Sequence, residues 1–140
     1  MNVDMVGPAL ALGLSCIGSA IGCAIAGMAS HAAMSRVEEG HGKYIGMAAA
    51  PSSQAIYGFI LMLLMSRAIQ AGTLSAGSAI GIGLASGLAI MLSAIYQGKV
   101  CATGIQASMK QPAIFGKCFA AIGIIESFAL FAFVFPLLIM

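Results

Sequence analysis

The chain alternates between long runs free of charge and short polar breaks that hold most of its charged side chains. Arg36, Glu38, Glu39 and Lys43 form one break, Arg67 marks a second, and Lys110 and Lys117 bracket a third. Four apolar runs lie between them, at 6–34, 44–66, 78–108 and 113–138. Each is long enough to cross a ~30 Å hydrocarbon core, which takes roughly 20 helical residues at 1.5 Å rise. The runs are continuous and rich in Gly, Ala and Ser, without the ten-residue alternation of a membrane β-barrel. They predict an all-α membrane protein of four transmembrane helices. Runs 1 and 3 exceed a minimal span, so they tilt or project beyond the bilayer.

Composition agrees with that pattern. Of 140 residues, 61% are hydrophobic and 7% charged, against about a quarter charged in soluble domains. The lipid bilayer is therefore a partner, and no nucleic acid is expected. The first run follows Asp4 with no Lys or Arg ahead of it, which predicts a retained span and not a secretory signal. Arg36, Lys43, Lys110 and Lys117 lie in the breaks after spans 1 and 3, and Arg67 alone lies opposite. Basic residues favour the cytoplasmic side, so both hairpin loops are expected there and both termini outside.

The two halves are related. A shift of 74 positions lays GPALALGLSCIGSAI (7–21) on GIGLASGLAIMLSAI (81–95) and GKYIG (42–46) on GKCFA (116–120). The expected organisation is a duplicated helical hairpin, residues 1–70 and 71–140, with both copies inserted in the same orientation. Gly18 and Gly22 form a GxxxG pair, and Gly77, Gly81, Gly83 and Gly87 a longer small-residue face, both suited to close helix packing. Spans 1 and 3 are slim, whereas spans 2 and 4 carry IYGFILMLLM and SFALFAFVFPLLIM. Slim helices inside and bulky ones outside is the arrangement that hairpins set side by side in a ring require.

Glu126 stands alone within GIIESFALF. It lies about 14 Å of helix rise beyond Lys117, close to mid-bilayer. A bare carboxylate there is unfavourable by about 2.5–3.5 kcal/mol, so it must be protonated, paired or coordinating a cation. The 74-residue shift places Ser52 opposite it, so only the second hairpin carries the acid. At matching depth the first hairpin has APSSQAIYGF (50–59), in which Ser53, Gln54 and Tyr57 share one helical face. Pro51 is expected to free backbone carbonyls near Met47 and Ala50, and Gln97 lies deep in span 3. Together these are hard oxygen donors, suited to an alkali cation or a hydrated proton and unsuited to zinc or copper. Interhelical hydrogen bonding is the plainer role for Ser53, Gln54 and Gln97 taken singly.

APSSQAIYGF, YQGKVCATGIQ (96–106) and IIESFALFAF, on a duplicated chain with its acid in the second copy only, resemble the membrane rotor subunits (proteolipids, subunit K) of prokaryotic V-type rotary ATPases. The resemblance covers essentially the whole chain. It implies a homo-oligomeric ring turning against a stator membrane subunit with an essential arginine, and contacting a central stalk through loops 35–43 and 109–117. It also implies one ion, Na+ or H+, on Glu126, with Gln54, Gln97, Ser53 and the Ala50 backbone carbonyl as further ligands and Tyr57 bonding the glutamate behind them. APSSQ departs from the family's more usual leucine-proline-glycine-threonine pattern. The implied work is ion carriage coupled to ATP synthesis or hydrolysis on other subunits, with no catalytic residue and no cofactor in this chain, in a bacterial or archaeal cell membrane. The extra oxygens beyond what a proton requires favour sodium. The alternative is a small four-helix proton-coupled multidrug antiporter, but those carry the acid in the first helix among tryptophans, and tryptophan is absent here. Cys16, Cys23, Cys101 and Cys118 read as small packing residues, His31 and His41 as solvated, and Lys99 has no assigned role.

Overall fold

A computed structural model describes residues 3–140, and within them the chain is helical throughout, with no strand. A 3-10 turn (Val3–Met5) leads into α1 (Val6–Met34); α2 (His41–Ala49), a 3-10 turn (Ala50–Ser52) and α3 (Ser53–Gln70) follow. Next come α4 (Ala76–Lys110), a 3-10 turn (Pro112–Ile114), α5 (Phe115–Val134) and a last 3-10 turn (Phe135–Leu138). Four stretches are long and apolar enough to cross a membrane: Val3–Met34, His41–Gln70, Ala76–Lys110 and Pro112–Leu138. They match the expected runs, extended by a few residues at their ends.

The breaks follow from local chemistry. Gly40, at φ 76°, turns the chain into α2. At the end of α3, Gly72 adopts φ 74° and its N–H reaches the Ile69 carbonyl at 3.0 Å, while Thr73 N–H reaches Ala68 at 3.0 Å. This is the left-handed closure that glycine permits at a helix end. Ser75 caps α4 by accepting a bond from the Ser78 N–H at 3.3 Å. Gln111 is pushed off the helical region by Pro112, and there α4 ends.

Pro51 breaks the second span without turning it. Lacking an N–H, it cannot bond the Met47 carbonyl, which accepts the Ala50 N–H instead, and the chain tightens into a single 3-10 turn. The expectation of free carbonyls near Met47 and Ala50 is therefore corrected: in the tightened turn each accepts one backbone N–H. The Ala50 carbonyl accepts the Ser53 N–H and also lies 3.1 Å from Ser53 Oγ.

Helices α1 and α4 pack most extensively, with α3 against α1 and α5 against α4. Their approach is set by glycine. A Cβ at Gly7 would meet Ala79 backbone, one at Gly18 the Met91 backbone, one at Gly22 the Ala94 backbone, and one at Gly83 or Gly98 the backbones of Gly7 and Gly22. The small-residue face expected on α4 divides in two. Gly83 and Gly87 pack on α1, whereas Gly77 and Gly81 have open space before them, because a two-residue step turns a helix by about 200°. Span 4 has only 11% of its most apolar stretch buried, against 33%, 28% and 39% for spans 1, 2 and 3, so within the chain the bulky α5 is the most exposed helix. Two apolar clusters form the core, one around Leu61, Met65 and Ile90, the other around Tyr44, Met47 and Ile105.

Candidate functional site

The polar residues of three helices meet at Glu126. From α3, Ser53 Oγ donates to Glu126 Oε1 at 2.6 Å and Tyr57 Oη donates to the same oxygen at 2.7 Å. From α4, Gln97 Nε2 donates to Glu126 Oε2 at 2.6 Å and lies 3.3 Å from the Ile122 carbonyl one turn earlier in α5. Gln54 Nε2 donates to Gln97 Oε1 at 2.8 Å. All five predicted side chains are thus joined in one network, and Ala50 borders it through Ser53.

Local structure explains who reaches whom. The 3-10 turn at Pro51 ends at Ser53, so Ser53, Gln54 and Tyr57 occupy the first turns of α3 and face α4 and α5 together. Gln97 precedes Gly98, whose contact with the Gly22 backbone draws α4 against α1. Gln54 and Gln97 are both fully buried, where an unpaired amide costs about 1–3 kcal/mol. Each is held by the other. Glu126 itself is half-buried, and its neighbours Ile124 and Phe128 are exposed on the outer surface of α5.

Ser53, Tyr57 and Gln97 all donate to the carboxylate, over 2.6, 2.7 and 2.6 Å. They are also all neutral. Ser53 Oγ has a single proton and three oxygens in reach: Glu126 Oε1 at 2.6 Å, Ala50 O at 3.1 Å and Gln54 Oε1 at 3.1 Å. Once the proton goes to the carboxylate, the other two contacts bring oxygen against oxygen. Such a grouping of carboxylate, hydroxyl, amide and carbonyl oxygens has the chemistry of a hard-cation cradle.

Three features were missed in the sequence. Tyr57 stacks on Phe133 of α5, with ring centroids 5.9 Å apart and 18° between planes, which orients its hydroxyl. Ser93 Oγ donates to the Ile125 carbonyl at 2.9 Å, tying α4 to α5 beside Glu126. Gly98 sets the depth to which Gln97 penetrates; its place directly after Gln97 was the available signal. Lys99 points elsewhere, its Nζ 4.7 Å from the Tyr96 ring centroid on the exposed side of α4. His41 Nε2 lies 2.7 Å from the Val37 carbonyl, on a half-exposed residue at the start of α2.

Comparison with known proteins places this arrangement in a family. Residues 6–65 and 80–139 each match the ATP synthase C-subunit family, the two matches starting at positions one repeat apart. The A-type ATP synthase subunit K of Methanocaldococcus jannaschii is 32% identical over 135 residues, covering 96% of this chain and 60% of that protein. The V-type sodium ATPase subunit K of Enterococcus hirae is 31% identical over 127 residues, covering 88% of this chain and 80% of that protein. The chain thus spans about three-fifths of the length of the first relative. With two family matches that together take in most of its length, on two tandem membrane hairpins, the chain belongs to the ATP synthase C-subunit family.

Proposed function

We propose that this chain is a rotor-ring subunit of an A/V-type rotary ATPase or ATP synthase, and that it carries one Na+ per chain on Glu126. The observation that carries the reading is the convergence of Ser53, Tyr57 and Gln97 on a lone carboxylate within a membrane span. An acid so placed is costly unless it takes up an ion and releases it. Ala50 O, Ser53 Oγ, Gln54 Oε1 and Gln97 Oε1 are the further ligands, and Tyr57 latches the carboxylate from outside. A proton needs one partner; this cluster of oxygens favours sodium, and H+ carriage on the same carboxyl is the other form of the same reading. The name of the Enterococcus hirae relative, a sodium ATPase subunit, supports the sodium form.

In this reading the hairpins 1–70 and 71–140 act as one carrier unit, with its acid and Gln97 in the second hairpin and its α3 donors, Ser53 and Tyr57, in the first. Copies stand side by side in a ring, with α1 and α4 inward and α3 and α5 toward lipid. Occupied, the site is neutral enough to face the bilayer. At a stator subunit an arginine competes for Glu126 and the ion leaves. Loops 35–43 and 109–117 lie on the cytoplasmic side against the central stalk, and both termini lie outside, in a bacterial or archaeal cell membrane. The chain itself catalyses no reaction.

Dicyclohexylcarbodiimide labelling of membranes tests the reading. Glu126 is expected to be the modified residue, Na+ to slow its modification at fixed pH, and Glu126→Gln to abolish both labelling and ATP-coupled ion transport. Transport surviving Glu126→Gln would sink the model; labelling of Glu126 that Na+ does not slow, with transport still lost in Glu126→Gln, would replace sodium with H+.

A further inference from the structure

Ser19, in the middle of α1, is 6% exposed, and its hydroxyl has no hydrogen-bond partner among the described residues. Buried hydroxyls are ordinarily paired, and others in this chain are. Ser15 Oγ donates to the Ala11 carbonyl at 2.7 Å and Ser108 Oγ to the Gly104 carbonyl at 2.7 Å. The internal repeat sharpens the contrast. Ser93, the counterpart of Ser19 under the 74-residue shift, donates across the helix interface to Ile125. The counterpart of Ile125 is Pro51, in the 3-10 turn, and Ser19 does not bond its carbonyl.

What Ser19 faces follows from register. Ser15 packs where a Cβ on Gly58 would stand, and a Cβ on Gly22 would lie 2.8 Å from Pro51 Cβ. Helices α1 and α3 are therefore antiparallel, with Ser15 level with Gly58 and Gly22 level with Pro51. Ser19, one turn beyond Ser15, comes level with Gln54, one turn before Gly58.

Gln54 needs a second partner if the site takes up a cation. Its Nε2 now donates to Gln97 Oε1. In the cation-carrier reading Gln97 Oε1 is a ligand, and turning the amide to bring Oε1 to the ion takes it away from Gln54 Nε2. We propose that Ser19 Oγ then accepts the Gln54 Nε2–H, holding Gln54 with its own Oε1 toward the ion. Ser19 is thus a positioning residue for the loaded state only. The inference rests on the cation-carrier reading of Glu126.

The test is sodium protection of Glu126 against dicyclohexylcarbodiimide in membranes containing the assembled complex. Ser19→Ala is expected to raise the half-protecting Na+ concentration about tenfold, the scale of one lost hydrogen bond, while the labelling rate without sodium stays at the wild-type value. Ser30→Ala, which removes the other buried unpaired hydroxyl, is expected to move neither quantity. In a double-mutant cycle, Ser19→Ala added to Gln54→Ala is expected to cause no further loss, because Ser19 acts through Gln54. Ser19→Cys, nearly isosteric and a weak acceptor, serves in place of alanine if that variant fails to assemble. Unchanged sodium protection in the Ser19 variant, full additivity with Gln54→Ala, or an equal shift in Ser30→Ala overturns the proposal while leaving the carrier reading intact. A wild type with no sodium protection overturns the sodium reading itself.

Discussion

The Tyr57 hydroxyl and Glu126 Oε1, 69 positions apart in sequence, are joined by a 2.7 Å hydrogen bond, and the Tyr57 ring is stacked on Phe133. Ring and hydroxyl can be separated by mutation. Tyr57→Phe keeps the stack and removes the donor, so the chain is expected to fold and assemble normally. With one donor fewer, the carboxylate is held more loosely. At the half-buried site the loss is expected to be about 1–2 kcal/mol, between the values for neutral hydrogen bonds and those to charged groups. Sodium half-protection against carbodiimide should rise five- to thirty-fold; an unchanged value would remove Tyr57 from the latch.

Gln97 is more exacting because it both accepts and donates. Gln97→Leu leaves Gln54 Nε2 without its acceptor and Glu126 Oε2 without its donor, and the two groups meet inside the protein. Each orphaned group costs about 1–3 kcal/mol. The variant is expected to lose more in detergent melting temperature than Tyr57→Phe, and to lose measurable sodium protection altogether. Equal melting of the two variants would show that the network adds nothing to stability.

The glycine contacts predict a steep positional contrast. Gly98→Ala drives a methyl into the Gly22 backbone, which cannot step aside as a side chain can. Separation of α1 and α4 is expected to cost about 1–3 kcal/mol and to displace Gln97 from Glu126. Gly77→Ala, on the same helix with nothing within 4 Å, should be neutral or slightly stabilising. Thermal melts and sodium protection of the two variants decide it, and similar behaviour would refute the assigned packing.

Lys99 sits two residues from Gln97, yet its Nζ rests over Tyr96 on the exposed face of α4. Lys99→Ala should therefore leave sodium half-protection within twofold of wild type. A larger shift would mean that this charge reaches the Glu126 site through the field or a rearrangement.

Much of this protein can be read from order along the chain. The four spans follow from the length of the apolar runs, since a bilayer core rewards any segment that is apolar for long enough, whatever its neighbours. The shared face of Ser53, Gln54 and Tyr57 follows from helical periodicity, a local rule. The separation of Gly77 and Gly81 from Gly83 and Gly87 was equally available, because the two pairs lie on different sides of one helix.

Contacts between helices were another matter. Which oxygen Ser53 serves depends on its single proton and on distances of 2.6 and 3.1 Å set by the placing of α5 against α3. The ordered chain from Gln54 to Gln97 to Glu126 depends on how closely Gly22 and Gly98 let α1 and α4 approach. The unpaired hydroxyl of Ser19 is invisible in a sequence where its repeat partner Ser93 looks the same. Local periodicity and hydrophobic length are properties of a segment and survive in the string of residues. The direction of a hydrogen bond and the absence of a partner are properties of several segments at once, and they come into being only when the helices pack.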